Sequence, residues 1–140
     1  MTDLMRLFTR AHKLLRAATD EAMSRYGVRV GQNLVLEVLW EQDGLTPGEL
    51  AERLGVATPT IVKSASRMAT AGLVERRRDP TDGRLVRIHL TEHARSVQQD
   101  IARARADLAA HAFATLTAAE RKHLESALVK IIDRMQSPAG

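Results

Sequence analysis

Two neighbouring segments, "LTPGELAERLG" (Leu45–Gly55) and "ATPTIVKSASRMATAG" (Ala57–Gly72), leave this chain little freedom in how it folds. Each opens on Thr-Pro and closes on glycine. A threonine side chain accepts a hydrogen bond from N–H groups left free at a helix start. Proline suits the first helical turn, where its missing N–H is no loss. Thr46 is therefore predicted to cap one short helix, with Pro47 in first position and Glu49 completing a capping box. Thr58 is predicted to cap the next, with Pro59 in its first position. Gly55 and Gly72 end them. Leu50, Ala51 and Leu54 turn inward from the first helix; Ile61, Ala65 and Met68, with Val62 and Ala69 beside them, turn inward from the second. Two short helices joined by a glycine-containing turn are a helix-turn-helix.

The flanks supply the remaining elements. Asp3 to Arg25 reads as a helix, with Leu4, Leu7, Ala11, Leu14, Leu15 and Ala18 at helical spacing and Gly27 as its stop. "VGQNLVLEVLWEQ" places Leu34, Val35, Val38 and Leu39 on one face of a shorter helix. After the central pair, "LVERRR" and "RLVRIHL" are β-like, with Val86, Ile88 and Leu90 alternating against Leu85, Arg87 and His89. In "DPTDG" between them, Pro80 holds Asp79 extended and Asp82-Gly83 is expected to supply positive φ, which makes a hairpin. Thr91 then caps a long helix to about Phe113, carrying Val97, Ile101, Ala104 and Leu108. A final helix opens on Thr117 and Glu120, and the tail "SPAG" frays. Aromatic residues are only 3% of the 140, so the core is expected to be aliphatic and the fold mainly α with a small β-hairpin.

Charge then points to a partner. Seven basic and three acidic residues lie between Lys63 and Arg87, while the rest of the chain holds fourteen of each. The whole excess of +4 sits in that one segment, as an electrostatic footprint for a polyanion does. On the second helix of the pair, Thr60, Lys63, Ser64 and Arg67 stand at i, i+3, i+4 and i+7, opposite the apolar stripe. No acid occurs between Glu52 and Glu75. A face of short hydroxyls and cations, purged of carboxylates, suits a groove walled by phosphates, and the helix start beside Thr58 and Pro59 offers free N–H groups to them. In the hairpin, Arg84 stands at the tip, where Asp82 can orient its guanidinium. Arg76 and Arg78 share one side of their strand and Arg77 takes the other.

Other classes find less support. There is no cysteine, hence no disulfide, thiolate metal site or thiol redox sensor. His12, His89, His93, His111 and His123 include no pair at a metal-ligand spacing beside a carboxylate, since His89 and His93 straddle a strand-to-helix junction. No nucleophile–base pair or phosphate loop appears, so neither enzyme chemistry nor a cofactor is expected. The charged N-terminus resembles no signal peptide, and no apolar run reaches membrane length. One alternative to nucleic acid stays open: a helical dimer that binds a protein or an anionic ligand, its basic hairpin serving solubility.

The run from Leu45 to Val97 resembles the winged helix-turn-helix of the MarR family of bacterial transcription regulators. The matching landmarks are Leu50-Ala51, Leu54, Thr58 to Val62, Ala71 to Val74, Arg76-Arg77, Asp79-Pro80, Asp82-x-Arg84 and Leu90-Thr91. The flanking helices agree in length and order. The family usually carries Arg where this chain has Gly83, and Gly where it has Ala94. The resemblance implies a winged core at about 30–90 and dimerisation helices at about 1–29 and 91–140. It implies a cytoplasmic, nucleoid-associated homodimer of bacterial or archaeal type, probing double-stranded DNA as a repressor on a palindromic operator. Half-sites would lie about 34–36 Å or a multiple apart. Thr46, Thr58, Pro59, Thr60, Lys63, Ser64, Arg67, Arg76, Arg78, Asp82 and Arg84 become the expected DNA-facing residues. Leu4, Leu7, Leu124, Leu128, Ile131 and Met135 become the expected dimer seam. Release by a small aromatic or anionic effector makes His12, Arg16 and Trp40 its candidate contacts.

Overall fold

A computed structural model describes residues 2–137, so the end of the expected frayed tail, 138–140, lies outside the described residues. The order is α1 (Leu4–Ser24), α2 (Gln32–Glu41), α3 (Pro47–Leu54), α4 (Thr58–Thr70), β1 (Val74–Arg78), β2 (Val86–Leu90), α5 (Glu92–Ser96), α6 (Gln98–Ala112) and α7 (Ala118–Gln136). Mutual packing divides the chain into two units, Met1–Ala106 and Asp107–Gly140.

The first unit holds the core, built from Leu36, Leu39, Leu45, Leu50, Ile61, Met68, Leu73, Ile88 and Ile101 with smaller neighbours. Each of α2 to α4 turns an apolar face into it. On α2 that face is Val35, Leu36 and Leu39 rather than the expected set; Leu34 is exposed and Val38 half-buried. The helix is hydrophobic on more than one side, so periodicity alone left its rotation undetermined. From α3 and α4, Leu50, Ala51, Ile61, Ala65 and Met68 are buried, Leu54 and Ala69 are half-buried, and Val62 is exposed.

The helix ends show which caps formed. Thr46 accepts from Glu49 N–H at 3.2 Å and Glu49 accepts from Thr46 N–H at 3.1 Å, a complete capping box. Gly55 stops α3 at φ +68°, a conformation costly for any residue with a Cβ. The cap of α4 differs from expectation: Ala57 takes that place, and Thr58 and Pro59 are the first two helical residues. Ala57 is extended and its carbonyl accepts from Thr60 and Ile61 N–H, so the helix begins one residue sooner than the Thr-Pro pattern suggested. At the other end Leu73 and Gly72 N–H bond back to Met68 and Ala69, turning the chain into β1.

The strands pair antiparallel with Val74 opposite Leu90, Arg76 opposite Ile88 and Arg78 opposite Val86. Backbone bonds between Ile88 and Gly44 and Leu45 fasten β2 to the turn before α3. The turn needs a glycine, because at φ +75° a Cβ on Gly44 would stand 2.9 Å from His89 Cε1. Asp43 completes the joint, accepting from Leu90 N–H at 2.8 Å and pairing Arg95 of α5 at 2.7 Å. The expected long helix from Thr91 is broken: α5 ends at Ser96, Val97 is a turn, and α6 begins at Gln98. Thr91 caps α5 but also donates its hydroxyl to Gly72 and Leu73 carbonyls, which ties that short turn to the core.

In the second unit α7 opens on the expected capping box, Thr117 with Glu120, whose carboxyl the Thr117 N–H and hydroxyl hold below its ordinary range. Arg121 donates to Phe113 O at 3.0 Å. Phe113, Leu116, Leu124 and Leu128 line a small apolar notch of about 240 Å³.

Candidate nucleic-acid interface

The seven basic residues from Lys63 to Arg87 fall into two groups. Lys63 and Arg67 are exposed on α4, and Arg76 and Arg78 are exposed on β1. Among the described residues no carboxylate lies within 4.0 Å of any of these four cations. Arg77, Arg84 and Arg87 are each paired: with Glu75 at 2.7 Å, with Asp82 at 3.2 Å and with Asp79 at 2.6 Å. The register confirms that Arg76 and Arg78 share a side and that Arg77 sits opposite them, beside Glu75.

On α4 the buried stripe of Ile61, Ala65 and Met68 fixes which way the other face looks. Thr58, Pro59, Thr60, Lys63 and Arg67 are all exposed. Ser64 is half-buried and points its hydroxyl to Met68 Sδ at 3.7 Å, so it lies at the edge of the face rather than along it. Thr46, also half-buried, has its oxygen engaged in the α3 cap. A groove of about 510 Å³ runs beneath α4; Arg29, Gln32 and Leu34 form one wall and Thr60, Lys63 and Arg67 the other. Arg29 was not among the expected residues, since nothing in its local sequence distinguishes it.

The wing tip is ordered without a left-handed glycine. Gly83 does not take the positive φ expected of it. Asp79 does the work of the turn: its Oδ1 accepts from Thr81 N–H and Oγ1, both at 2.7 Å, and from Asp82 N–H at 3.1 Å. These bonds, the Thr81 hydroxyl first and Arg87 next, hold its carboxyl far below the usual carboxylate range. Asp82 then accepts from Arg84 N–H at 3.1 Å and from its Nε at 3.2 Å, holding a side chain that is 91% exposed. The Asp82–Arg84 pairing expected from sequence is formed. Asp79 and Arg87 are the polar pair that the sequence reading left without a role; the Asp-x-Thr spacing, a common side-chain-to-backbone turn, carried the signal for the first.

His12 and Arg16 of α1 come together along a second cleft of about 390 Å³, closed by Leu15, Thr19, Val30 and Leu34. Trp40 lies elsewhere: half-buried against the core, it donates its indole N–H to Ala94 O at 3.3 Å. Among the described residues no group of three His or carboxylate side chains is gathered for a metal ion, and no helix is long and apolar enough to cross a membrane.

A helix-turn-helix followed directly by a two-stranded hairpin packed on the same core defines the winged helix-turn-helix class. Comparison with known proteins narrows this. A sequence model of the MarR family matches residues 26–85. The HTH-type transcriptional regulator TtmR of Methylorubrum extorquens is 30% identical over 137 residues, covering 96% of this chain and 67% of that protein. Among solved structures, a cysteine-to-serine mutant of MarR from E. coli, complexed with operator DNA, is 26% identical. It superposes with a TM-score of 0.83 over 93% of this chain and 99% of its own. The transcriptional regulator SlyA shares the fold at a TM-score of 0.85 and 23% identity, over 96% of this chain and 94% of its own. The chain belongs to the MarR family of transcriptional regulators.

Proposed function

We propose that this protein is a sequence-specific DNA-binding repressor that seats α4 in the major groove and the wing tip on the flanking backbone or minor groove. One observation carries the reading: the exposed cations of α4 and of one side of β1 have no carboxylate partner among the described residues, in a chain with 17 acids. Unpaired cations beside a helix start are what phosphates require. Lys63 and Arg67 then reach bases or phosphates, Thr58, Pro59 and Thr60 approach the strand at the start of α4, and Arg84 inserts from the wing. The MarR relative solved in complex with operator DNA supports DNA as the partner.

Two copies reading a palindrome fit the apolar side chains left open on the terminal helices. Leu4 is 78% exposed on α1 and Met135 79% exposed on α7, with Leu7, Leu124 and Ile131 open as well. A pairing of such seams supplies the dimer. Repression rather than activation follows the family. For the effector, the cleft holding His12 and Arg16 fits a small aromatic or carboxylate ligand, with Trp40 outside it. That cleft shares Val30, Gly31 and Leu34 with the groove beneath α4, so an occupant can move a wall of the DNA face.

Binding to a duplex carrying the palindrome upstream of its own gene tests this. Affinity should fall steeply between about 50 and 200 mM salt, in proportion to the phosphates neutralised. Absent or salt-insensitive binding would sink the reading.

A further inference from the structure

We propose that Arg87 is the positioning residue of the wing, a lock that touches no DNA and sets where Arg84 stands. This rests on the DNA-binding reading above. The last ladder pair of the hairpin is Arg78 with Val86, and beyond it a single backbone bond, Asp79 N–H to Leu85 O at 2.9 Å, joins the two arms before the turn. A two-stranded hairpin alone is marginal in water, so its tip needs another anchor. Arg87 supplies one. Its Nε donates to Asp79 Oδ2 at 2.6 Å and its Nη1 donates to Gly44 O at 2.9 Å, with Glu49 Oε1 at 3.6 Å. Gly44 lies in the turn before α3, and Glu49 belongs to the α3 capping box. From Asp79 the chain of bonds runs through Asp82 N–H to the Asp82 carboxylate and on to Arg84. One polar relay therefore joins the body of the helix-turn-helix to the exposed guanidinium.

The same geometry argues against a direct contact. Arg87 is surrounded by two carboxylates and a carbonyl, and its side chain is 32% exposed against 91% for Arg84. The planar guanidinium uses two directions at once, toward Asp79 and toward Gly44, which a lysine ammonium cannot reproduce with one nitrogen.

A double-mutant cycle on the duplex used above tests the assignment. Arg84→Ala and Arg87→Ala should each weaken binding, on the order of tenfold. The double variant should bind within about twofold of Arg84→Ala, because a misplaced Arg84 has nothing further to lose. Arg87→Lys should resemble Arg87→Ala. Penalties that multiply would overturn the proposal, since general destabilisation or an independent phosphate contact acts alike in both backgrounds. Rescue by lysine, or wild-type affinity in Arg87→Ala, would overturn it too. Should Arg87→Ala not fold, Asp79→Asn breaks the relay at its next link and must show the same coupling to Arg84. If the wild-type chain binds no duplex, the DNA reading fails by itself, and the lock is judged on amide exchange without DNA. Exchange at Asp82 and Arg84 should quicken at least about tenfold in Arg87→Ala relative to Arg77→Ala; equal protection overturns the lock.

Discussion

The two basic elements, α4 and the wing, are held in place by different forces. The helix is set by burial: Ile61, Ala65 and Met68 are each no more than 2% exposed, and the cations on the far face inherit their direction from that packing. At its base the wing shares the same core through Val74, Ile88 and Leu90, but its tip rests on carboxylates and guanidinia. Apolar packing carries no titrating group, whereas a polar lock gives way in strong acid. A reader built this way has one part whose geometry is fixed and another whose geometry can be loosened without unfolding the molecule.

The largest expected effect attacks the helix. Met68→Ala deletes a fully buried side chain, and such truncations cost about 2–5 kcal/mol. Thermal unfolding should show a clearly lowered midpoint; a wild-type midpoint would mean that burial does not orient α4. Next comes the DNA face. Arg67→Ala should lower affinity by roughly 1–3 kcal/mol while leaving thermal stability near wild type, which fluorescence anisotropy and melting together would separate. If both fell in step, the cation would be serving the fold.

A smaller effect belongs to the wing lock. Asp79 has its carboxyl lowered in the folded chain, by Thr81 first and Arg87 second. Its contribution is therefore complete above the unfolded value of about 4 and is lost only as pH falls below it toward the lowered folded value. Amide shifts of Thr81 and Asp82 should stay flat from neutral pH down to about 5 and move only in stronger acid. A midpoint at the ordinary carboxylate value would break the contrast with α4. The smallest effect is reserved for Arg77→Ala. Its pair with Glu75 is more than half exposed on both sides, and exposed pairs are worth about 0–1 kcal/mol. A larger loss in melting experiments would show that the strand, and not the tip alone, depends on charge.

What the sequence disclosed divides along a related line. Features decided within a few residues were readable: the capping boxes at Thr46 and Thr117, the Asp82–Arg84 pair, and the opposite direction of Arg77. The acid-free face of α4 was readable because it is a pattern of omission along one helix. Features decided by distant neighbours were not. Whether Leu34 or Leu36 turns inward depends on the elements packed against α2. The break at Val97 accompanies bonds from Thr91 to Gly72 and Leu73, nineteen and eighteen residues away in sequence. Arg87 looked like one more surface cation because its carbonyl partner, Gly44, is 43 positions distant. Two misses are local: Asp79, and not a left-handed Gly83, shapes the wing turn, and Ala57 takes the cap in place of Thr58, since two residues in succession could end the extended segment and the helix took the earlier.

Trp40 gains a use from where it was found. It is the chain's one tryptophan, and its indole spans from α2 to the Ala94 carbonyl of α5. Its emission consequently reports on a single seam, the one where α2 and α5 meet. Loss of that hydrogen bond to water shifts the spectrum to longer wavelength, so an occupant that parts the two helices announces itself optically in the unlabelled protein.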